Sequence, residues 1–319
     1  SELNRKTRGY CPSVWAPMPS GDGLIVRVRP RHARMPAERL AALARLARSC
    51  GNGIIELTRR GNLQIRGVSA SSWPELRAEL IALGAAGAAP ESEAHPTLFV
   101  CPLSGLDPRC PPLEPLAEAL DTLLSASEME QRLPDKFGIV LGGGSQSSSE
   151  LAADIHVRLH PAHPNVADLL LAGKASDATP LGSCPADAVP DAVRRLLLAL
   201  DAFPAERRRM RDAVTADLGH LRAAVSTLNL GATLNLGAAL NLGTARCEPA
   251  WGSAEVGYHT GSVDWFGYAL PFGSANAEAW AALARAAGRL GAGELRFTPT
   301  RHVLLVGVRP ADREALVEL

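Results

Sequence analysis

Paired cysteines are missing from this sequence. Its six cysteines, Cys11, Cys50, Cys101, Cys110, Cys184 and Cys247, are scattered with no CxxC spacing. That excludes a zinc ribbon or a disulfide framework as the organising device, and most of them read as small apolar residues. Also missing is any run near the ~18 apolar residues of a membrane span. The charged opening at 1–6 has no apolar stretch behind it, so no signal peptide is expected. These absences point to a cytoplasmic, reducing location without a membrane partner. Net charge is lacking too, since 33 basic residues face 33 acidic ones. No global field draws the chain to nucleic acid, no nucleic-acid partner is expected, and local basic clusters mean more than the total. The run Gly142-Gly143-Gly144 lacks the Lys-Ser/Thr of a phosphate-binding loop and reads as a flexible turn.

What is present is an ordinary soluble composition, 46% hydrophobic and 21% charged over 319 residues, enough for two to three domains. Residues 54–67 read as strand, tight turn, strand. Ile54, Ile55 and Leu57 favour a pleated, half-buried surface, and Gly61-Asn62 tolerates positive φ. Leu63 and Ile65 point to one face, Gln64 and Arg66 to the other. Upstream, 24–29 alternates in the same way, with Leu24, Val26 and Val28 on one side and Arg27 and Arg29 on the other with Ile25. Arg27, Arg29, Arg59, Arg60 and Arg66 thus gather in one small sheet. Guanidinium forks on a rigid scaffold suit carboxylates or phosphates; the plainer reading is a face of solvated charge. Lys136, ahead of an apolar strand at 137–141, is a candidate to join them.

The strand–helix–hairpin unit occurs twice. Gly21 to Thr58 lies over Gly261 to Thr298 without a gap, an offset of 240 residues. The helix Ala41-Ala42-Leu43-Ala44-Arg45 meets Ala281-Ala282-Leu283-Ala284-Arg285, and Gly51 and Gly53 meet Gly291 and Gly293. In the second copy Arg27 and Arg29 have become Gly267 and Ala269. A pseudo-twofold pair with a ligand site between similar halves is expected.

Between the copies an α/β segment is predicted, with helices at 115–126, 192–200 and 206–225 and strands at 137–141 and 154–159. A polar loop covers 145–149. His160 and His163 are expected in a Pro-containing loop and lack a nearby third ligand, and His156 reads as a packed or surface residue on a strand. Cys11 and Cys101, each before a proline, show no neighbouring base. The repeat at 228–245, Leu-Asn-Leu-Gly three times over, is too short for a solenoid and reads as a connector.

The blocks Cys11-Pro12, Pro17-Met18-Pro19-Ser20-Gly21-Asp22-Gly23-Leu24 and Val26-Arg27-Val28-Arg29-Pro30 resemble the nitrite/sulfite reductase superfamily, and within it the precorrin-3B synthases. So do Leu57-Thr58-Arg59-Arg60-Gly61-Asn62-Leu63-Gln64-Ile65-Arg66-Gly67, the most specific block, Pro102-Leu103-Ser104-Gly105-Leu106-Asp107 and Leu133-Pro134-Asp135-Lys136-Phe137. In the second copy Pro271-Phe272-Gly273 and Leu295-Arg296-Phe297-Thr298-Pro299 agree. The resemblance implies an α+β fold in which two ferredoxin-like halves form a pseudo-twofold pair, with a sirohaem-reductase-type α/β domain between them in sequence. The corresponding division is 1–88, 89–226, a connector at 227–250, and 251–319.

The same resemblance implies sirohaem, whose eight carboxylates need a many-armed cationic cradle. Arg27 or Arg29, Arg60, Arg66 and Lys136 are the residues it assigns to cofactor binding. It implies oxygen-dependent hydroxylation and lactone formation on precorrin-3A, a polycarboxylated tetrapyrrole partner and an electron donor. Other readings are a non-catalytic tetrapyrrole-binding protein or a sulfite or nitrite reductase relative. Two departures stand out. The reductases carry a second basic residue where this chain has Gly138. The family's [4Fe–4S] cluster cysteines, a C-x5-C and a C-x3-C pair, lie beyond the position of Leu319, so this chain is expected to ligate no cluster or other metal. An apolar flank near Trp265, Phe266 and Phe272 is then expected to lie uncovered, and homo-oligomerisation is one way to cover it.

Overall fold

The computed structural model describes residues 11–93, 97–126, 129, 136–143, 151–226 and 255–319. The residues at 1–10, Leu133 to Asp135, Gly144, the polar loop at 145–149 and the connector at 227–250 with Cys247 lie outside them. Among the described residues no helix is long and apolar enough to cross a membrane.

The first copy comprises β1 (Met18–Ser20), β2 (Gly23–Val28), β3 (Arg34–Pro36), α1 (Ala37–Cys50), β4 (Ile54–Leu57), β5 (Leu63–Val68) and α2 (Trp73–Ala82). The middle segment follows with β6 (Thr97–Val100), α3 (Glu114–Leu124), β7 (Gly138–Gly142), β8 (Ile155–His160), β9 (His163–Leu171), β10 (Thr179–Pro185), α4 (Val189–Ala199) and α5 (Met210–Val225). The second copy holds β11 (Gly257–His259), β12 (Trp265–Ala269), β13 (Ser274–Asn276), α6 (Ala277–Leu290), β14 (Glu294–Phe297), β15 (His302–Val306) and α7 (Arg313–Val317).

Three five-stranded sheets result. The middle one runs β10-β9-β8-β7-β6, with β6, β7 and β8 parallel and the other pairs antiparallel. The outer two are β1-β2-β5-β4-β13 and β11-β12-β15-β14-β3. Each is completed by a short strand from the other copy. Ser274 pairs with Glu56, and Arg34 pairs with Arg296. These are one pair seen twice, because 34 and 56 become 274 and 296 on adding the repeat offset. The exchange is extended by Ala37 N–H donating to Gly293 O at 2.8 Å and Ala277 N–H to Gly53 O at 2.7 Å.

The alanine-rich helices explain the close approach. Leu40, Leu43, Ala44 and Ala47 of α1, and Trp280, Leu283, Ala284 and Ala287 of α6, are buried, and the two helices pack together. Trp280 Nε1–H donates to Ile55 O at 3.1 Å, tying the second helix to the first sheet. One core therefore runs through both copies, from Val26, Leu63 and Ile65 to Phe297, Val303 and Leu305. A second core belongs to the middle segment and takes in Trp265, Leu304 and Val306 of the second copy.

Several expectations are corrected here. Trp265 and Phe266 are each only 5% exposed, because Trp265 joins the middle core and Phe266 the shared one. Of the expected apolar flank only Phe272, at 95% exposure, stands in solvent. His160 and His163 end adjacent strands and stack with centroids 5.3 Å apart. The last helix of the middle segment begins at Met210 rather than at 206.

Candidate functional site

The pleat of the first sheet sends Val26, Val28, Leu63 and Ile65 into the shared core and leaves Arg27, Gln64, Glu56 and Arg66 on the outer face. Gln64 is opposite Arg27 on one side and Glu56 on the other. A relay of hydrogen bonds follows from that register. Arg27 Nη2 donates to Gln64 Oε1 at 2.9 Å, and Gln64 Nε2 donates to Glu56 Oε2 at 3.4 Å. Arg66 Nη1 donates to the same Glu56 oxygen at 3.4 Å. Arg66 also grips Asp22 with Nε and Nη2 at 3.1 and 2.8 Å, and Nη2 reaches Ser20 Oγ at 3.0 Å. The Asp22 hydrogen bond raises the Arg66 pKa, and the same bond holds Asp22 below its ordinary value.

Arg27 differs from Arg66. Its Nε is buried and has no hydrogen-bond partner, and burial lowers the pKa of its guanidinium. A buried, unused donor of this kind is costly unless something accepts from it.

Arg60 leaves the hairpin turn and crosses to the middle segment. The turn itself closes through Gly61 N–H to Thr58 O at 3.0 Å, with Gly61 at φ 68 and packed too close to Ala33 Cβ to admit a side chain. Arg60 Nη2 donates to Ala152 O at 2.8 Å, and burial lowers its pKa as well. It lines a cavity of about 230 Å³ with Asp154, Gly173, Arg209, Arg211 and Asp212. Asp154, 2% exposed, accepts from Arg209 twice at 2.9 Å and from the amides of Gly138 and Met210, both at 3.0 Å. Its charge is therefore already matched. Cys11 lies near enough to bear on the charge of both Arg27 and Arg60, more closely on Arg27.

The five assigned residues are thus not one cluster. Arg27 and Arg60 share one electrostatic neighbour, Cys11. Arg66 lies beyond the Gln64–Glu56 relay and is held by acids. Arg29 Nη1 donates to Glu93 O at 2.8 Å, and Glu93 also accepts from the amides of Val14 and Trp15. Lys136 is exposed at φ 68, two residues ahead of Gly138. Sequence reasoning missed Asp22, Glu56 and Gln64 as members of the network. Glu56 was findable, since the hairpin register alone places it across from Gln64. Asp154 was not, because its partner Arg209 is 55 residues away.

The Arg27 guanidinium, bonded to an amide and to no carboxylate among the described residues, suits a carboxylate-bearing ligand. The donors on this face do not fit an iron–sulfur cluster. Among the described residues no group of three or more His, Cys, Asp or Glu is placed to hold a metal ion.

Comparisons with known proteins agree with this architecture. The family described as the nitrite/sulfite reductase ferredoxin-like half domain matches residues 16–83 and 259–319. A precorrin-3B synthase from Sinorhizobium sp. is 32% identical over 309 residues, which is 95% of this chain. The chain spans 62% of that relative's length. The solved structure of Mycobacterium tuberculosis NirA superposes with a TM-score of 0.66 at 18% identity, covering 92% of this chain and 56% of that one, and so shares the fold.

Proposed function

We propose, from the premise that this chain belongs to the nitrite/sulfite reductase superfamily with its paired ferredoxin-like half domains, that it binds a polycarboxylated tetrapyrrole in a precorrin-3B synthase-like role. The coarse reading is an oxidoreductase of cobalamin biosynthesis, supported by the likeness to the Sinorhizobium relative. The finer one is oxygen-dependent hydroxylation and lactone formation on precorrin-3A, with an external electron donor. Sirohaem, when bound, supplies a redox-active iron. The chain's own contribution is to bind and orient carboxylates. Arg27 offers its guanidinium, Gln64 fixes the Arg27 fork, and Arg60 borders the cavity. Arg66 holds Asp22 and Glu56 and so keeps the relay in register.

The observation that carries this reading is the Arg27 guanidinium on a polar sheet face, bonded to the Gln64 amide and to no carboxylate among the described residues. The test is a fluorescence titration with uroporphyrin III, which has eight carboxylates. Arg27→Ala should cost about 1.5–3 kcal/mol of binding, the range for a hydrogen bond to a charged group, and affinity should fall as salt rises. An unchanged titration for Arg27→Ala would remove this face from the site.

A further inference from the structure

We infer that Gly138 is a positioning residue for Arg60, and that its missing side chain forms the seat in which the Arg60 guanidinium lies. The inference rests on the carboxylate-binding reading only where it concerns ligand affinity.

Gly138 opens β7 and is buried. Its backbone is pinned on both sides by one residue. Its N–H donates to Asp154 Oδ2 at 3.0 Å, and its carbonyl accepts from Asp154 N–H at 2.8 Å. The strand therefore cannot shift to accommodate a larger residue there. A Cβ at this position would lie 2.9 Å from Arg60 Nη1 and 3.8 Å from Arg60 Cζ and Nη2, and those are its three nearest atoms. Real Cβ atoms do not approach that closely, so one methyl group would displace the guanidinium. The backbone of Gly138 is not in the left-handed region. Glycine is required here for room, not for conformation.

The seat is otherwise weakly defined. Among the described residues Arg60 has one hydrogen bond in it, to Ala152 O. Asp154 attracts the guanidinium, but Arg209 repels it and already neutralises that carboxylate. Burial disfavours the charge. Shape at Gly138 thus decides where Arg60 points, across the junction between the first half domain and the middle segment. From the seat Arg60 borders the cavity.

Two mutant cycles on the full chain, built from Gly138→Ala, Arg60→Ala and the double variant, test this. In thermal unfolding, Gly138→Ala should lower the melting temperature by about 2–4 °C. On the Arg60→Ala background the same methyl should be neutral, because it fills vacated space. In the uroporphyrin III titration, Gly138→Ala should weaken binding about tenfold, close to Arg60→Ala, and the double variant should be no weaker than Arg60→Ala. Additive losses in the thermal cycle would overturn the seat. A tenfold loss for Arg60→Ala with none for Gly138→Ala would overturn the positioning role. If the wild-type chain fails to bind the porphyrin, the proposed function falls and the positioning of a ligand-binding Arg60 falls with it, while the thermal cycle still decides the seat.

Discussion

On the outer face of the first sheet, positions 25, 27, 56, 64 and 66 hold Ile, Arg, Glu, Gln and Arg; at the matching positions of the second sheet stand Trp265, Gly267, Arg296, Leu304 and Val306. Both inner faces remain apolar and share one core. The outer faces have diverged. Trp265, Leu304 and Val306 are packed into the core of the middle segment, and burying each such side chain is worth about 1.5–3 kcal/mol. Gly267 lets the Glu255 carbonyl come within 1.6 Å of where a Cβ would be, so no residue like Arg27 fits there. The one charged residue among them, Arg296, stands where the first copy has Glu56; it is 6% exposed and spends its donors on the carbonyls of Pro102 and Ser104 and on Glu294. One copy thus uses its outer face to dock a domain, and the other keeps hydrogen-bonding groups available. The duplicated scaffold supplies symmetry, and the outward positions alone decide what each half does.

That contrast can be broken from either side. Giving the second face a residue of the first, as Leu304→Gln, should destabilise the protein by about 3–5 kcal/mol, through lost burial and an amide left without partners. Chemical denaturation should show the midpoint falling accordingly, and a shift near zero would mean that this face is not sealed. The reverse exchange, Gln64→Leu, should cost less, about 1–3 kcal/mol, because it leaves Arg27 Nη2 without its acceptor. It removes the group that orients Arg27, so uroporphyrin III affinity should drop by about 1 kcal/mol, roughly fivefold. A variant that binds as tightly as the wild type would place Gln64 outside the site.

The smallest effect concerns the acid end of the relay. Arg66 holds Asp22 below its ordinary carboxylate value of 3.8. A depressed folded-state value means that the carboxylate stabilises the fold above that range, and the contribution is lost as pH falls through it. Wild-type stability should therefore decline below about pH 4 more steeply than that of Asp22→Asn, which lacks this component. Parallel curves would show that the Asp22–Arg66 pair, on a surface turn, contributes nothing measurable.

Much of this was readable from residue order. The two-residue period at 24–29 and 63–66 correctly divides inward Val26 and Ile65 from outward Arg27 and Arg66, since a pleat leaves no other choice. The repeat offset anticipates paired copies, and the strand register obeys it to the residue. What escaped is short or distant. β3 and β13 are three residues each, too brief for any period to emerge. β9 and β10 are interrupted by Pro164 and Pro180, which discourage a strand assignment. Five arginines in one sheet suggested one cradle, but a charge does not announce its partner. Asp22 is 44 residues from Arg66, and only the folded sheet brings them together. Trp265 and Phe266 were expected at an open flank because nothing near them in the chain foretells the cover that the middle segment gives Trp265 and the shared core gives Phe266.

The reciprocal strands have a consequence for ancestry. Position 34 of one copy meets position 56 of the other, and the converse holds at 274 and 56, with Arg34 on Arg296. A contact in which i meets j and j meets i is the signature of an isologous dimer. Two separate, identical chains of one such unit could have made both exchanges with each other before any linker joined them. Fusion then freed the copies from identity. In a dimer of identical chains, a glycine at position 27 on one side would be a glycine on both, and the arginine would be lost from the face that needs it. Only after the halves shared one chain could Gly267 and Arg27 coexist, one admitting a neighbouring backbone and the other offering an unpaired donor.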